Sequence, residues 1–167
     1  QTVTGSKYLL TINNKKILVD CGLFQGLKEL RLRNWAKLPV DPTTIDAVIL
    51  THAHIDHTGY LPLLVKNGFT GKIYATPATQ ELSEVLLPDS AHLQEEAAER
   101  ANRHGYSKHK PALPLYNRAD ALQALKQFAV FDFDQEFSLF DAAKFTFLRA
   151  GHILGAAMLK VQNATFS

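Results

Sequence analysis

Within six residues, His52-Ala53-His54-Ile55-Asp56-His57, the chain carries four side chains able to hold a hard or borderline metal ion. They follow an apolar, β-branched run at 45–51 that reads as a buried strand delivering ligands into a loop. In an extended segment residues two apart point the same way, so His52 and His54 converge on one position. Asp56 and His57, lying past a bend, are aimed at a second. Gly59 stands where the chain needs a backbone angle that other residues resist. Nitrogen and oxygen donors without sulfur suit Zn2+, with Mn2+ or Fe2+ as alternatives. Two such ions about 3.5–4 Å apart share a water whose pKa falls toward ~7, so the pattern predicts hydrolysis by a metal-bound hydroxide. With a phosphodiester the attack on phosphorus would be in line, Asp56 holding one metal and taking the proton.

His152 is the next candidate ligand. It follows the apolar run Phe145-Thr146-Phe147-Leu148-Arg149 and is flanked by Gly151 and Gly155, which let a loop approach a bound ion or substrate. Only folding brings it to the first cluster. Asp20, ahead of Gly22, has three readings: a ligand, a turn former, or a carboxylate that accepts the outer N–H of a histidine and fixes its ring. The last, a supporting role, is favoured. Cys21 has no partner cysteine and reads as a small buried apolar residue rather than a thiolate ligand. Arg100, Arg103, His104, Lys108, His109 and Lys110 form the one basic concentration. They suit phosphate contacts, with Tyr106 and Tyr116 stacking on bases, or equally a solvated helix end whose cations complement the helix dipole. Asp89 and Ser90 read as a helix cap after Pro88. His92 has no assigned role.

The elements that must position these residues are short. Lys7-Tyr8-Leu9-Leu10-Thr11-Ile12 and Lys15-Lys16-Ile17-Leu18-Val19-Asp20 are strand-like, joined by Asn13-Asn14, which tolerate the left-handed angles of a tight hairpin turn. Residues 27–37 have helical spacing, ended by Pro39 and Pro42. A short helix at 60–67 closed by Gly68 and a strand at 71–75 follow. Thr76 caps a helix from Pro77 to about Arg103, kinked or broken at Pro88. Its second half has Leu93 as the one large apolar residue, so a narrow buried stripe outside the main core is expected. A loop to Tyr116, a helix at 118–127 and strands at 129–132, 136–139, 144–149 and 156–161 complete an α/β pattern.

At 167 residues and 46% hydrophobic content the chain suits one domain with a real core. A formal charge of +2 argues neither for nor against nucleic acid, and nothing fixes an oligomeric state. No apolar stretch reaches the ~18 residues of a membrane span, so no membrane partner is expected. A lone Cys21 excludes an internal disulfide and fits a reducing compartment, which makes cytoplasm the expected location. Gln1 leads straight into Thr2-Val3-Thr4, and Ala164-Thr165-Phe166-Ser167 stop inside an apparent strand, so residues 1–167 read as a partial domain cut at both ends.

With Thr58-Gly59-Tyr60-Leu61-Pro62 behind it, the histidine cluster resembles the second signature motif of the metallo-β-lactamase superfamily. Asp20-Cys21-Gly22 after a hairpin resembles the first motif and Gly151-His152-Ile153-Leu154-Gly155-Ala156 the third, in the same order and spacing; Val3-Thr4-Gly5-Ser6 matches too. The Asp-His-Thr-Gly-Tyr-Leu-Pro and Gly-His-Ile-Leu-Gly-Ala wording is most similar to the β-CASP branch, in particular RNA-processing nucleases related to the cleavage-and-polyadenylation endonuclease. Pro114-Leu115-Tyr116 before an acidic helix looks like that branch as well.

The resemblance implies the N-terminal half of a four-layer αβ/βα sandwich, two zinc ions, and cleavage of single-stranded RNA, endonucleolytic, 5′-exonucleolytic or both. Carried over by position, it assigns His52, His54 and His152 to the first zinc, Asp56 and His57 to the second, and supporting roles to Asp20, Gly59 and Gly151. In the family a bridging aspartate follows a Phe-Ser-Gly type strand, where this chain reaches Phe166-Ser167. The β-CASP cap domain and a later histidine ligand also lie outside it. The resemblance therefore implies an empty or mononuclear site and little nuclease activity for these residues alone, against an active full-length parent. One rival is a hydrolase of lactams, thioesters or lactones with the same metal loop, disfavoured by the β-CASP-like wording and the long helical stretch between the second and third motifs. Others are a DNA-repair nuclease of the same branch and a non-catalytic scaffold subunit, the latter disfavoured because all five ligand positions are filled.

Overall fold

The computed structural model describes residues 3–141 and 143–162. β1 (Tyr8–Ile12) and β2 (Lys15–Val19) form the expected hairpin, with Asn13 and Asn14 at φ of 47° and 63°, the two left-handed positions of its turn. The chain then passes through α1 (Lys28–Leu32), β3 (Ala47–Ile49), α2 (Ile55–Thr58), α3 (Leu61–Lys66), β4 (Lys72–Ala75), α4 (Pro77–His104), α5 (Arg118–Leu125) and β5 (Phe128–Val130). β2, β3, β4 and β5 are parallel neighbours in that order, and β1 lies antiparallel on the edge. β6 (Glu136–Leu139), β7 (Ala143–Arg149) and β8 (Ala157–Gln162) make a second, antiparallel sheet.

Alternation along the central strands sets the layers. Leu18, Val48, Leu50 and Ile73 face the helices and pack with Leu61, Leu64, Leu87 and Tyr116. One residue out of phase, Ile17, Ala47 and Ile49 pack with Phe137, Phe145 and Phe147 of the second sheet. Helices, parallel sheet and antiparallel sheet thus stack as three layers. The carboxyl ends of β2, β3 and β4 open onto one edge, where ligands of α/β sheets bind.

Several expectations change. α4 runs unbroken through Pro88 for 28 residues. Proline removes a single donor there, and Leu87 and Ala91, both fully buried, fasten the helix on either side. Asp89 and Ser90 are therefore helix-interior rather than a cap, and Ser90 Oγ lies 2.9 Å from the Tyr116 hydroxyl. Tyr116 is fully buried, which removes it as a stacking platform. The narrow stripe is built by Ala91, Ala98 and Ala101, while Leu93 is 57% exposed. The helix expected at 27–37 is the short α1 followed by a 3-10 turn at Arg33–Trp35.

Asp46 ties the start of β2 to β3. Its carboxylate accepts from the Lys16 N–H at 2.9 Å and from Lys15 Nζ at 2.8 Å. Desolvation opposes its charge, but these donors outweigh it and hold its pKa below the ordinary carboxylate value. A depressed carboxylate stabilises the fold above its unfolded pKa, and that contribution is lost as pH falls through the folded value. Asp46→Asn is expected to lower stability at pH 7 by about 0.5–1 kcal/mol, solvent screening included. Urea melts should show the gap to the parent closing below pH ~4.

Candidate metal centre

Beyond β3 the Leu50 N–H still bonds the Tyr74 carbonyl at 2.8 Å, after which 51–54 leave the sheet. His52 Nε2 and His54 Nδ1 come to 3.1 Å. His152 Nε2 reaches the same His54 Nδ1 at 3.1 Å, and the ligating atoms of all three lie within 4.8 Å of one another. The meeting is enforced by backbone. The Ala157 N–H donates to the Thr51 carbonyl at 2.8 Å, joining the start of β8 to the segment that follows β3. Gly155, at φ of 80°, turns its carbonyl to the Thr76 and Thr79 hydroxyls at 2.7 and 3.1 Å, where α4 begins. A Cβ on Gly155 would stand 2.7 Å from the Thr79 nitrogen, whereas one on Gly151 would meet nothing within 4 Å among the described residues. The close approach expected at Gly151 is thus made at Gly155. Gly59 also differs from expectation: its φ is −66°, an ordinary helical angle, and what requires glycine is space, since a Cβ would stand 2.6 Å from the Ile55 carbonyl oxygen.

Asp56 and His57 sit on the single turn of α2, with His57 Nε2 3.7 Å from Asp56 Oδ2 and the His57 ring 4.0 Å from that of His52. Asp20, 3% exposed, holds the arrangement from behind. Its Oδ2 lies 2.7 Å from His57 Nδ1, and its Oδ1 accepts from the Thr51 N–H and hydroxyl at 2.8 and 3.0 Å. Thr51 Oγ1 is in turn 3.0 Å from His52 Nδ1. One carboxylate therefore engages the outer nitrogen of His57 directly and that of His52 through Thr51, which sets the orientation of both rings. Asp20 itself adopts φ of 59°, which Asp tolerates, so the residue that turns the chain is also the one that contacts the His57 ring.

Burial, and then the neighbouring His57, push the His52 pKa down to about 4, so the ring is neutral as a ligand must be. For His57 burial opposes the charge, but the Asp20 hydrogen bond and charge, aided by Asp56, raise its pKa above the ordinary value. Burial pushes the Cys21 thiol up to about 12, which removes it as a thiolate. The three rings cannot satisfy one another, because His54 Nδ1 faces two Nε2 atoms at once. Nitrogen donors around one tetrahedral ion with bonds of about 2.0–2.1 Å stand about 3.3 Å apart, close to the two 3.1 Å separations at His54, so the set could hold a divalent metal.

Asp20→Asn should keep the turn but offer an amide N–H where His57 or Thr51 now finds an acceptor. A 10- to 100-fold loss of metal affinity is expected, read by calorimetric titration; affinity within twofold of the parent would remove Asp20 from the site. The signals missed in the sequence are Thr51 and Thr79, whose hydroxyls act only through contacts that folding creates. Thr76 was legible as a cap, but its bond to Gly155 was not. Arg100, Arg103, Lys108 and Lys110 are exposed at and beyond the far end of α4. At ~1.5 Å per residue, Arg100 is about 36 Å along the axis from the Thr76 cap that touches the His152 loop.

Imidazoles converging from the ends of two strands, on a helix–sheet–sheet scaffold, form a cluster that could hold a metal ion in a layered α/β protein. Residues 3–126 match the Metallo-beta-lactamase superfamily, and the chain belongs to that family. It is 36% identical over 160 residues to a ribonuclease of Thermus thermophilus, covering 96% of this chain and 32% of the relative. It is 36% identical over 158 residues to transcription termination factor FttA of Methanosarcina mazei, covering 93% and 23%. It is 31% identical over 160 residues to cleavage and polyadenylation specificity factor subunit 3-I of Arabidopsis thaliana, covering 93% and 20%. These names match the RNA-processing branch that the motifs resemble. The chain thus spans between a fifth and a third of the length of these relatives. Among solved structures, a HARLDQ motif mutant of a metallo-beta-lactamase from Cronobacter sakazakii superposes with a TM-score of 0.55 at 22% identity, over 96% of this chain and 54% of that one. An archaeal metallo-beta-lactamase superfamily protein from Sulfolobus tokodaii gives 0.53 at 19%, over 93% and 54%. They share the fold. Among the described residues no helix is long and apolar enough to cross a membrane.

Proposed function

We propose that the protein is a zinc-dependent nuclease of single-stranded RNA, with His52, His54 and His152 holding one ion and Asp56 and His57 the second. The observation that carries this reading is the convergence of imidazole nitrogens from two strand ends, at 3.1 Å, in a chain with ribonuclease, termination-factor and cleavage-factor relatives. Three nitrogen donors favour Zn2+ over harder ions. Zinc bound there supplies a water of lowered pKa and positive charge for the non-bridging phosphate oxygens. The chain's own residues supply orientation and proton handling. Asp20 and Thr51 hold the outer Nδ1 atoms of His57 and His52 and so set the orientation of both rings. The Asp56 carboxylate accepts the proton of the attacking water as its oxygen bonds to phosphorus. The opposite P–O bond breaks, and the leaving oxygen takes the electron pair and then a proton from solvent. In this reading the 167 residues form part of the metallo-β-lactamase domain of a longer protein.

The test is cleavage of end-labelled single-stranded RNA by the protein at its full natural length, abolished by chelation, restored by Zn2+ and lost in His54→Ala. Turnover of a chromogenic lactam or thioester with RNA left intact would overturn the reading.

A further inference from the structure

The histidine cluster leaves a cleft of about 1060 Å³ unexplained. It starts at Ile55, between His54 and Asp56, and runs along α4 to the loop that follows it. Leu86 and Leu93 of α4 and Leu113 of the loop form one side, with Leu32 and Trp35 also in the wall. Leu32, Trp35, Leu93 and Leu113 are 57%, 59%, 57% and 65% exposed, and such a concentration of apolar surface marks a binding site. The part of the wall that presents Trp35 is fixed. Asn34, 5% exposed, accepts from the Phe24 N–H at 2.9 Å and donates to the Phe24 carbonyl at 2.8 Å, closing 24–34 into a stapled loop with the indole at the cleft.

Cations run along the same surface. Arg31 and His109 are in the lining, where Asp89 is the single carboxylate among the described residues. Arg100 and His104 continue the stripe of Leu86, Leu93 and Ala97 along α4 at helical spacing. Apolar walls alone would suit any greasy partner; walls with a basic margin, beginning at α2, suit a polyanion that offers flat faces.

We propose that this cleft is a base-binding subsite for a single-stranded nucleic acid whose backbone reaches the histidine cluster, an inference that rests on the nuclease reading. Bases stack on Trp35 and lie against the leucines, while phosphates follow Arg31, Arg100 and His109. A duplex is disfavoured, because its bases are already stacked on one another.

Trp35 is the only tryptophan of the chain, so its emission reports the subsite directly. The 167-residue chain is titrated, with chelator present, with a labelled single-stranded RNA of about ten nucleotides. Saturable quenching of Trp35 is expected, with none from duplex RNA. Trp35→Ala and Leu93→Glu should each weaken binding measured by anisotropy about 10- to 100-fold, the size of one lost base stack. Melting temperatures should hold, because both side chains are exposed. Three results would overturn the proposal: no RNA binding by the parent chain, RNA affinity unchanged in both variants, or Leu93→Glu turning a dimer into a monomer at constant RNA affinity. The two readings fail apart. Trp35-dependent binding without metal-dependent cleavage by the full-length protein sinks the nuclease and keeps the subsite, and cleavage indifferent to Trp35 does the reverse.

Discussion

Replacing His152 by alanine is expected to weaken binding of Zn2+ or Co2+ by roughly 100-fold while leaving the metal-free chain as stable as before. Structural zinc sites with four ligands release about 10–16 kcal/mol, so one imidazole is worth about 3 kcal/mol or more. His152 is exposed and contributes no core packing, so its removal should move apo stability by no more than about 0.5 kcal/mol. The two effects separate in thermal melts with and without metal. A ligand that binds only the folded state raises stability in proportion to the logarithm of its concentration over its Kd, so metal should lift the parent's melting temperature well above the variant's. Equal shifts in both proteins would show that the ring 3.1 Å from His54 Nδ1 holds no ion.

The same residue shows what the sequence could and could not convey. His52, His54, Asp56 and His57 were legible because they are close in the chain and extended backbone makes residue spacing a geometry. His152 was legible only through its strand-then-glycine setting; what delivers it is the bond from Ala157 to Thr51, a pairing between sheets that no local pattern encodes. The two-sided burial of β3 could be read from its apolar run, but its division between a helical core and an aromatic core could not. Single-residue signals misled where tertiary packing outweighed them. Pro88 sits in an unbroken helix because Leu87 and Ala91 bury on either side of it, and Ser90, a cap by type, instead faces the Tyr116 hydroxyl. Gly151 and Gly155 looked equivalent, yet only Gly155 has a positive φ and a crowded Cβ position.

Gly22→Ala is expected to be the most damaging small substitution near the site. A Cβ there would stand 1.6 Å from the Asp56 carbonyl oxygen and 2.6 Å from the His57 nitrogen, both backbone atoms with nowhere to rotate. The turn that carries Asp56 and His57 is held to the neighbouring segments by three consecutive carbonyls. Ile55 accepts from the Leu23 N–H at 3.0 Å, Asp56 from the Ser6 N–H at 2.9 Å and His57 from the Cys21 N–H at 2.7 Å. Relieving the clash means moving α2 away from 20–23, which stretches all three bonds and separates His57 from Asp20. With each bond worth about 1 kcal/mol net and buried groups left unpaired, the loss should exceed about 3 kcal/mol in urea melts. The surviving folded fraction should bind metal poorly, because the histidine cluster and its anchoring carboxylate no longer share a frame. Gly151→Ala is the control: a Cβ there meets none of the described residues within 4 Å, so its stability should lie within about 0.5 kcal/mol of the parent. If Gly22→Ala matched that control and took up metal normally, the contact between the Asp20 loop and α2 would not be what positions the ligands.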